Sequence, residues 1–135
     1  MKELNEIVVP ETARYTEDHE WVSTAAPFRV GISDFAQDQL GDIVFVEFPD
    51  VGATFSKGDE CGTLESTKPV SPLMMPVDCK VVAVNDAIND DPSLVNSDPY
   101  GEGWIVEVEL TNPDQLNDLA DAAAYKKILA DAGGE

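Results

Sequence analysis

The sequence is short of the residue types that most catalysis needs. In 135 residues it has one histidine, His19, and two cysteines, Cys61 and Cys79. One imidazole and two well-separated thiols are too few soft ligands for a zinc site, and the cysteines do not form a CxxC redox pair. No GxSxG elbow is present, so a hydrolase triad would need folding alone to bring Ser66 or Ser71 to His19. Neither a glycine-rich phosphate loop nor a GxGxxG turn occurs. These absences argue against a self-contained enzyme.

Positive charge is also scarce. Eight Lys and Arg face 27 Asp and Glu, for a formal net charge of −19. Such a surface repels nucleic acid and anionic membranes. It suits basic partner surfaces, or plain solubility. No apolar run is long enough to span a bilayer, and the opening MKELNEIVVPETARYTEDHEW has no signal-peptide core, so the expectation is a cytoplasmic protein. Two cysteines make no disulfide framework in a chain of this size, and each reads as a small buried apolar residue. The acidic group Asp86, Asp90 and Asp91 reads as a solvated loop rather than a hard-cation site.

What is present is a foldable chain. A hydrophobic fraction of 43% over 135 residues is enough for one domain with a real core, spanning 1–135 with residues 1–12 as a loose N-terminal arm. Phe28, Val30 and Ile32 alternate along a strand, 28–33. Ser33 caps a short helix over 34–40 that stops at Gly41. The run 42–49 is β-branched and aromatic and reads as a strand buried on both faces. Strand-like runs follow over 52–59, with a turn at Lys57-Gly58-Asp59, then over 60–66 and 79–85. Residues 89–103 are mostly turn chemistry. In 104–110, Trp104, Val106, Val108 and Leu110 share one face against Glu107 and Glu109. Asn112 then heads C-terminal helices over 112–132, with Pro113 at the first position and Gln115 placed for a capping box. Many short strands followed by helices predict a mainly β fold, a sandwich or barrel with helical additions.

Lys68 stands apart in this chain. It follows Glu65-Ser66-Thr67 between two strand-like runs, at what reads as a hairpin tip. A lysine that must enter other proteins' active sites needs a protruding, rigid support, and a tight hairpin supplies one. On composition alone, Lys68 reads as an ordinary exposed lysine.

Wider motifs bear on that choice. His19-Glu20-Trp21, Val30-Gly31-Ile32, the run Leu40 to Val46, Glu65-Ser66-Thr67-Lys68, Asn85, Leu94-Val95-Asn96 and Pro99-Tyr100-Gly101-x-Gly103-Trp104 occur in order. Together they resemble the glycine cleavage H-protein family of lipoyl carriers over roughly residues 13 to 130. The resemblance implies a lipoyl-domain hybrid barrel with a short helix near 34–40 and C-terminal helices. It implies lipoic acid attached covalently to Lys68, with Glu65, Ser66 and Thr67 recognised by a lipoate-protein ligase or lipoyl transferase. Glu20 is implied as a contact for the arm. The implied protein is a monomeric carrier, not an enzyme. Its partners would be the glycine cleavage P, T and L proteins, the last a dihydrolipoamide dehydrogenase, with no nucleic acid and no membrane. Biotinyl carriers share a similar fold but flank their lysine with methionines, which Thr67 and Pro69 do not match.

The departures from the family gather beside the lysine. Lys68 is followed by Pro69-Val70-Ser71-Pro72, where small residues and then Ser-Asp are usual. Pro72 therefore replaces an acid that, with Glu20, helps hold an amine-bearing arm. Gln39 stands where a histidine sometimes contacts the same amine. Pro69 biases Lys68 toward extended geometry. Cys79 replaces a turn glycine, so that turn either strains or differs. These departures lean the reading toward H-like lipoate-binding proteins of bacterial sulfur oxidation, which work with a heterodisulfide-reductase-like complex. The alternative is a glycine cleavage H protein carrying the aminomethyl group, and a third reading is an unmodified acidic interaction module.

Overall fold

A computed structural model describes residues 7–67 and 70–133. Among these residues, nine strands form two antiparallel sheets. The chain order is β1 (Ala13–Tyr15), β2 (Glu20–Ser23), β3 (Phe28–Ile32), α1 (Asp34–Leu40), β4 (Ile43–Glu47), β5 (Thr54–Phe55), β6 (Glu60–Ser66), β7 (Val70–Met74) and β8 (Cys79–Val84). Then come α2 (Asp86–Asp90), α3 (Leu94–Ser97), β9 (Val106–Leu110), a 3-10 helix (Pro113–Asp118) and α4 (Ala122–Gly133). The larger sheet has the order β1-β2-β3-β9-β8-β5, and the smaller the order β4-β6-β7.

The alternation read in the sequence explains the main core. Val22, Val30, Val81, Val106 and Val108 point inward from the larger sheet, and Ile43, Val46, Leu64 and Leu73 meet them from the smaller one. A second cluster lies under α4, where Tyr125 and Leu129 pack on Tyr15 and Trp21. The Tyr15 and Tyr125 rings stack with centroids 4.4 Å apart. The C-terminal helix is thus a lid on β1 and β2, fixed by burial of its apolar face.

The α1 reading holds in detail. Ser33 Oγ accepts from the Ala36 N–H, and Gly41 closes the helix at φ 78°. Three other expectations need correction. The 42–49 run is not buried on both faces: Val44 and Phe45 are exposed. The smaller sheet is covered on one side only, and a bulge between Ile43 and Phe45 leaves Val44 and Phe45 both turned outward. The 89–103 segment is mostly turn as read, with the end of α2 and the whole of α3 set into it. Asn85 Oδ1 accepts from the Ala87 N–H and so starts α2. Asn112 makes no side-chain cap and heads a 3-10 helix instead of an α-helix. Its would-be partner Gln115 accepts from the Asp78 N–H at 2.7 Å, tying this helix to the start of β8. Of the arm read over 1–12, residues 1–6 lie outside the described residues and the next few are fastened. The Val8 N–H donates to Asp34, and the Val8 carbonyl accepts from the Tyr100 hydroxyl at 2.8 Å.

The remaining motif residues act as braces. Asn85 Nδ2 donates to the carbonyls of Glu102 and Trp104, each at 2.7 Å. Gly31 faces the Trp21 indole, where a Cβ would come within 2.9 Å of Nε1. A Cβ on Gly103 would meet the Leu94 carbonyl. Asn96 joins three segments: its Nδ2 donates to the Gln37 side chain and the Gly41 carbonyl, and its Oδ1 accepts from the Ile43 N–H at 2.9 Å. It therefore fixes the corner from which β4 enters the smaller sheet. Asn96→Ala is expected to lower unfolding free energy by about 2 kcal/mol, since it strands three part-buried partners at roughly 1 kcal/mol or less each. Urea midpoints check this, and an unchanged midpoint would remove Asn96 from the corner's support.

Candidate functional site

The hairpin β6–β7 carries the candidate site. Its register runs Gly62 opposite Leu73, Thr63 opposite Pro72, Leu64 opposite Ser71 and Glu65 opposite Val70. Side chains alternate along it, so Leu64 and Leu73 are buried while Glu65, Val70 and Pro72 are exposed. The Thr67 N–H donates to the Asp42 carbonyl at 3.0 Å, which pins the end of β6 to the residue before β4. Thr67 and Val70 thus bracket the connection. The two residues between them, Lys68 and Pro69, lie outside the described residues.

Glu20 approaches the same hairpin from the other sheet. It sits at the start of β2, almost fully buried. Its Oε2 accepts from the Met74 N–H at 3.2 Å, and its Oε1 from the Thr16 hydroxyl at 2.9 Å. Burial pushes the carboxyl up to about 7, against the pull of those two donors. Glu20 also lines an open cleft of about 500 Å3 with Thr16, Asp18, Lys57, Met75 and Ile128. Gln39 is exposed on α1, whereas the partners of Glu20 are Thr16 and Met74.

The residue before Glu20 was legible only as part of a motif. His19 takes a left-handed φ of 71°, and its carbonyl accepts from the Ser33 N–H. Its Nδ1 shares a hydrogen bond with the Tyr125 hydroxyl at 2.8 Å, which shares another with Ser33 Oγ at 2.7 Å. Burial lowers the His19 pKa. The backbone at His19 is held in its uncommon conformation by these partners, and it sets the direction in which Glu20 enters β2. No spacing rule would have assigned Tyr125, a C-terminal helix residue, to that corner.

Cys61 and Cys79 are free, buried thiols, each pushed up to about 12 by burial. At that value the thiolate is scarce and the group inert. Cys79 opens β8, opposite Phe55 and Leu110, and takes no positive φ. The turn before it therefore differs from a glycine turn and is not strained there. Among the described residues, no group of acidic, His or Cys side chains is arranged to hold a metal ion. No helix of these residues is long and apolar enough to cross a membrane.

Comparison with known proteins bears on the hairpin. A family model described as "Glycine cleavage H-protein" matches residues 13–132. The chain is 50% identical over 122 residues to the "Glycine cleavage system H protein" of Anaeromyxobacter sp. (strain K), covering 90% of this chain and 95% of that one. It is 47% identical over 125 residues to the protein of that name from Salmonella arizonae, covering 91% and 97%. A crystal structure of a glycine cleavage system H protein from Mycobacterium marinum matches with a TM-score of 0.80 at 41% identity, covering 93% of this chain and 99% of that one. The lean toward sulfur oxidation and a heterodisulfide-reductase-like complex finds no support among these relatives. Its main argument also weakens physically. Pro72 lies on the open face of β7, where an acid would be solvated and its pairing with an amine worth little. The match over residues 13–132 and the shared architecture place the chain in the glycine cleavage H-protein family, whose members carry lipoic acid covalently on a lysine and are carriers rather than enzymes.

Proposed function

We propose that this protein is a single-domain lipoyl carrier of glycine cleavage, modified on Lys68, which moves the aminomethyl group of glycine and electrons between the P, T and L proteins. The observation that carries the reading is the hairpin base. Glu65 opposite Val70, and Thr67 bound to Asp42, hold a connection of two residues whose one amine is Lys68. Lipoic acid bound there supplies a cyclic disulfide that takes up a group and electrons by thiol–disulfide exchange. The chain's own part is positional. The paired strands hold the two ends of the connection in register, and tethering raises the local concentration of the cofactor at each partner. Glu65, Ser66 and Thr67 present the lysine to the lipoate-protein ligase or lipoyl transferase. Glu20, at the head of its cleft, offers a carboxyl able to hold or release a proton near neutrality, which suits contact with an amine. The expected setting is the cytoplasm, and the expected state a monomer.

The test is glycine–bicarbonate exchange with a glycine decarboxylase subunit. The lipoylated protein is expected to support exchange within a few-fold of a standard H protein. No exchange, with lipoyl loading shown by intact mass, would overturn the glycine cleavage reading and restore a carrier of electrons or sulfur.

A further inference from the structure

The open face of the smaller sheet has an unexplained composition. Phe45, Glu65 and Val70 stand in one cross-strand row, since Phe45 pairs with Glu65 and Glu65 with Val70. All three face away from the core. Phe45 is 49% exposed and Val70 65%. The next row outward on this face is Glu47, Thr63 and Pro72, with the Thr63 hydroxyl donating to Glu47 at 2.9 Å. Isolated exposed apolar residues are ordinary. Here an aromatic, a valine and a proline share one face, within two rows of the Lys68 connection.

The charge around them is of one sign. β4, β6 and β7 contain Glu47, Glu60 and Glu65, and Asp42 precedes β4; none of the three strands contains a Lys or Arg. A second copy of this chain would bring these acids against their equivalents, on a molecule already at −19. A basic partner gains from them.

Position decides which partner. Enzymes that act at the far end of a lipoyl arm need not touch the residues beside the lysine. The enzyme that attaches the arm must bring an activated carboxyl to Nζ of Lys68 itself, so it must touch the residues beside that lysine. In that step the neutral amine attacks the carbonyl of adenylated lipoate. The amide C–N bond forms, the acyl–phosphate bond breaks, AMP leaves, and the proton passes to solvent. We propose that the Phe45–Glu65–Val70 row is the docking face for this attaching enzyme, which meets it with an apolar pocket bordered by Lys or Arg. The inference rests on Lys68 being the modified residue.

The unlipoylated full chain, lipoate, ATP and a lipoate-protein ligase provide the test, with acylation followed by intact mass. Phe45→Ser is expected to raise KM about tenfold with kcat retained, as for a buried aromatic anchor of an interface. Val70→Ser should raise it several-fold, and Val82→Ser, at an exposed valine on the other sheet, should leave it unchanged. The wild-type KM should climb with salt. Thermal melting checks folding, and if Phe45→Ser does not fold, Val70→Ser decides alone. Wild-type KM in both variants, while Lys68→Arg takes no lipoyl group, overturns the docking face and leaves the modified residue standing. Lipoyl transfer to Lys68→Arg overturns the modified residue and the docking face with it. Variants loaded to completion are also assayed in glycine–bicarbonate exchange. Unchanged exchange supports the attaching enzyme as the occupant. Lost exchange with unchanged acylation assigns the face to the decarboxylase and overturns the proposal.

Discussion

Lys68→Arg is expected to abolish both lipoyl loading and glycine–bicarbonate exchange, the largest effect any single substitution should have. Arginine keeps the positive charge and nearly the reach of lysine. Its guanidinium stays protonated at every accessible pH, so it offers no free amine to an activated carboxyl. The variant therefore separates charge from nucleophilicity. The other lysines among the described residues are differently supported. Lys57 sits in the turn before β6, its N–H donating to Asp78 at 2.8 Å; Lys80 lies within β8; Lys126 and Lys127 lie on α4. None is presented at the β6–β7 connection. Intact mass after incubation with ligase should show one lipoyl group on the wild type and none on the variant, with melting temperatures within a few degrees because arginine keeps the charge and nearly the length of lysine. A lipoyl group on the variant would move the site to another lysine.

How much of this was legible in the sequence follows from the range of the interactions. Local signals were read well: Ser33 caps α1 because its hydroxyl needs only a neighbour three residues on. Alternation in 28–33 and 104–110 gave the core faces of β3 and β9, although β9 itself begins only at Val106, because period-2 side chains report which face is covered. What failed depended on distant partners. The run at β4 is apolar enough for a doubly buried strand, and only the count of layers shows that one face stays open. Asn112 and Gln115 have the spacing of a capping box, but Gln115 is taken by Asp78, far away in the chain. At the site, the Lys68 motif stood out because its four residues, Glu65 to Lys68, are consecutive in the chain. The reading of Pro72 as a lost amine partner treated a sequence position as a contact. Strand register places that residue on the open face, two residues from the Met74 N–H that binds Glu20.

Glu20 should make the protein less stable as pH rises through neutrality. Burial is the largest cause of its upward shift, from an ordinary 4.5 to about 7; the Thr16 hydroxyl and Met74 N–H oppose it, and nearby Asp18 adds to it. A carboxyl raised in the folded state holds its proton there more tightly than in the unfolded chain. Below about pH 4.5 both states are protonated, and the full contribution is present. Between that value and about 7 the unfolded chain releases its proton first, and the contribution is lost as pH climbs through the folded value. At 1.36 kcal/mol per pKa unit the loss amounts to about 3 kcal/mol. Glu20→Gln keeps an acceptor for the Met74 N–H and removes the ionisable group. The stability of the variant relative to wild type should therefore grow by about 3 kcal/mol from pH 4.5 to pH 8, measured by urea unfolding. Parallel pH profiles would show that Glu20 ionises freely. A buried carboxylate retained against such a penalty points to use. The same substitution should cut glycine–bicarbonate exchange at pH 8 even as it stabilises the fold, because a neutral amide cannot pair with a cationic amine. Full exchange in a stabilised Gln variant would leave Glu20 as packing for the end of β7 and nothing more.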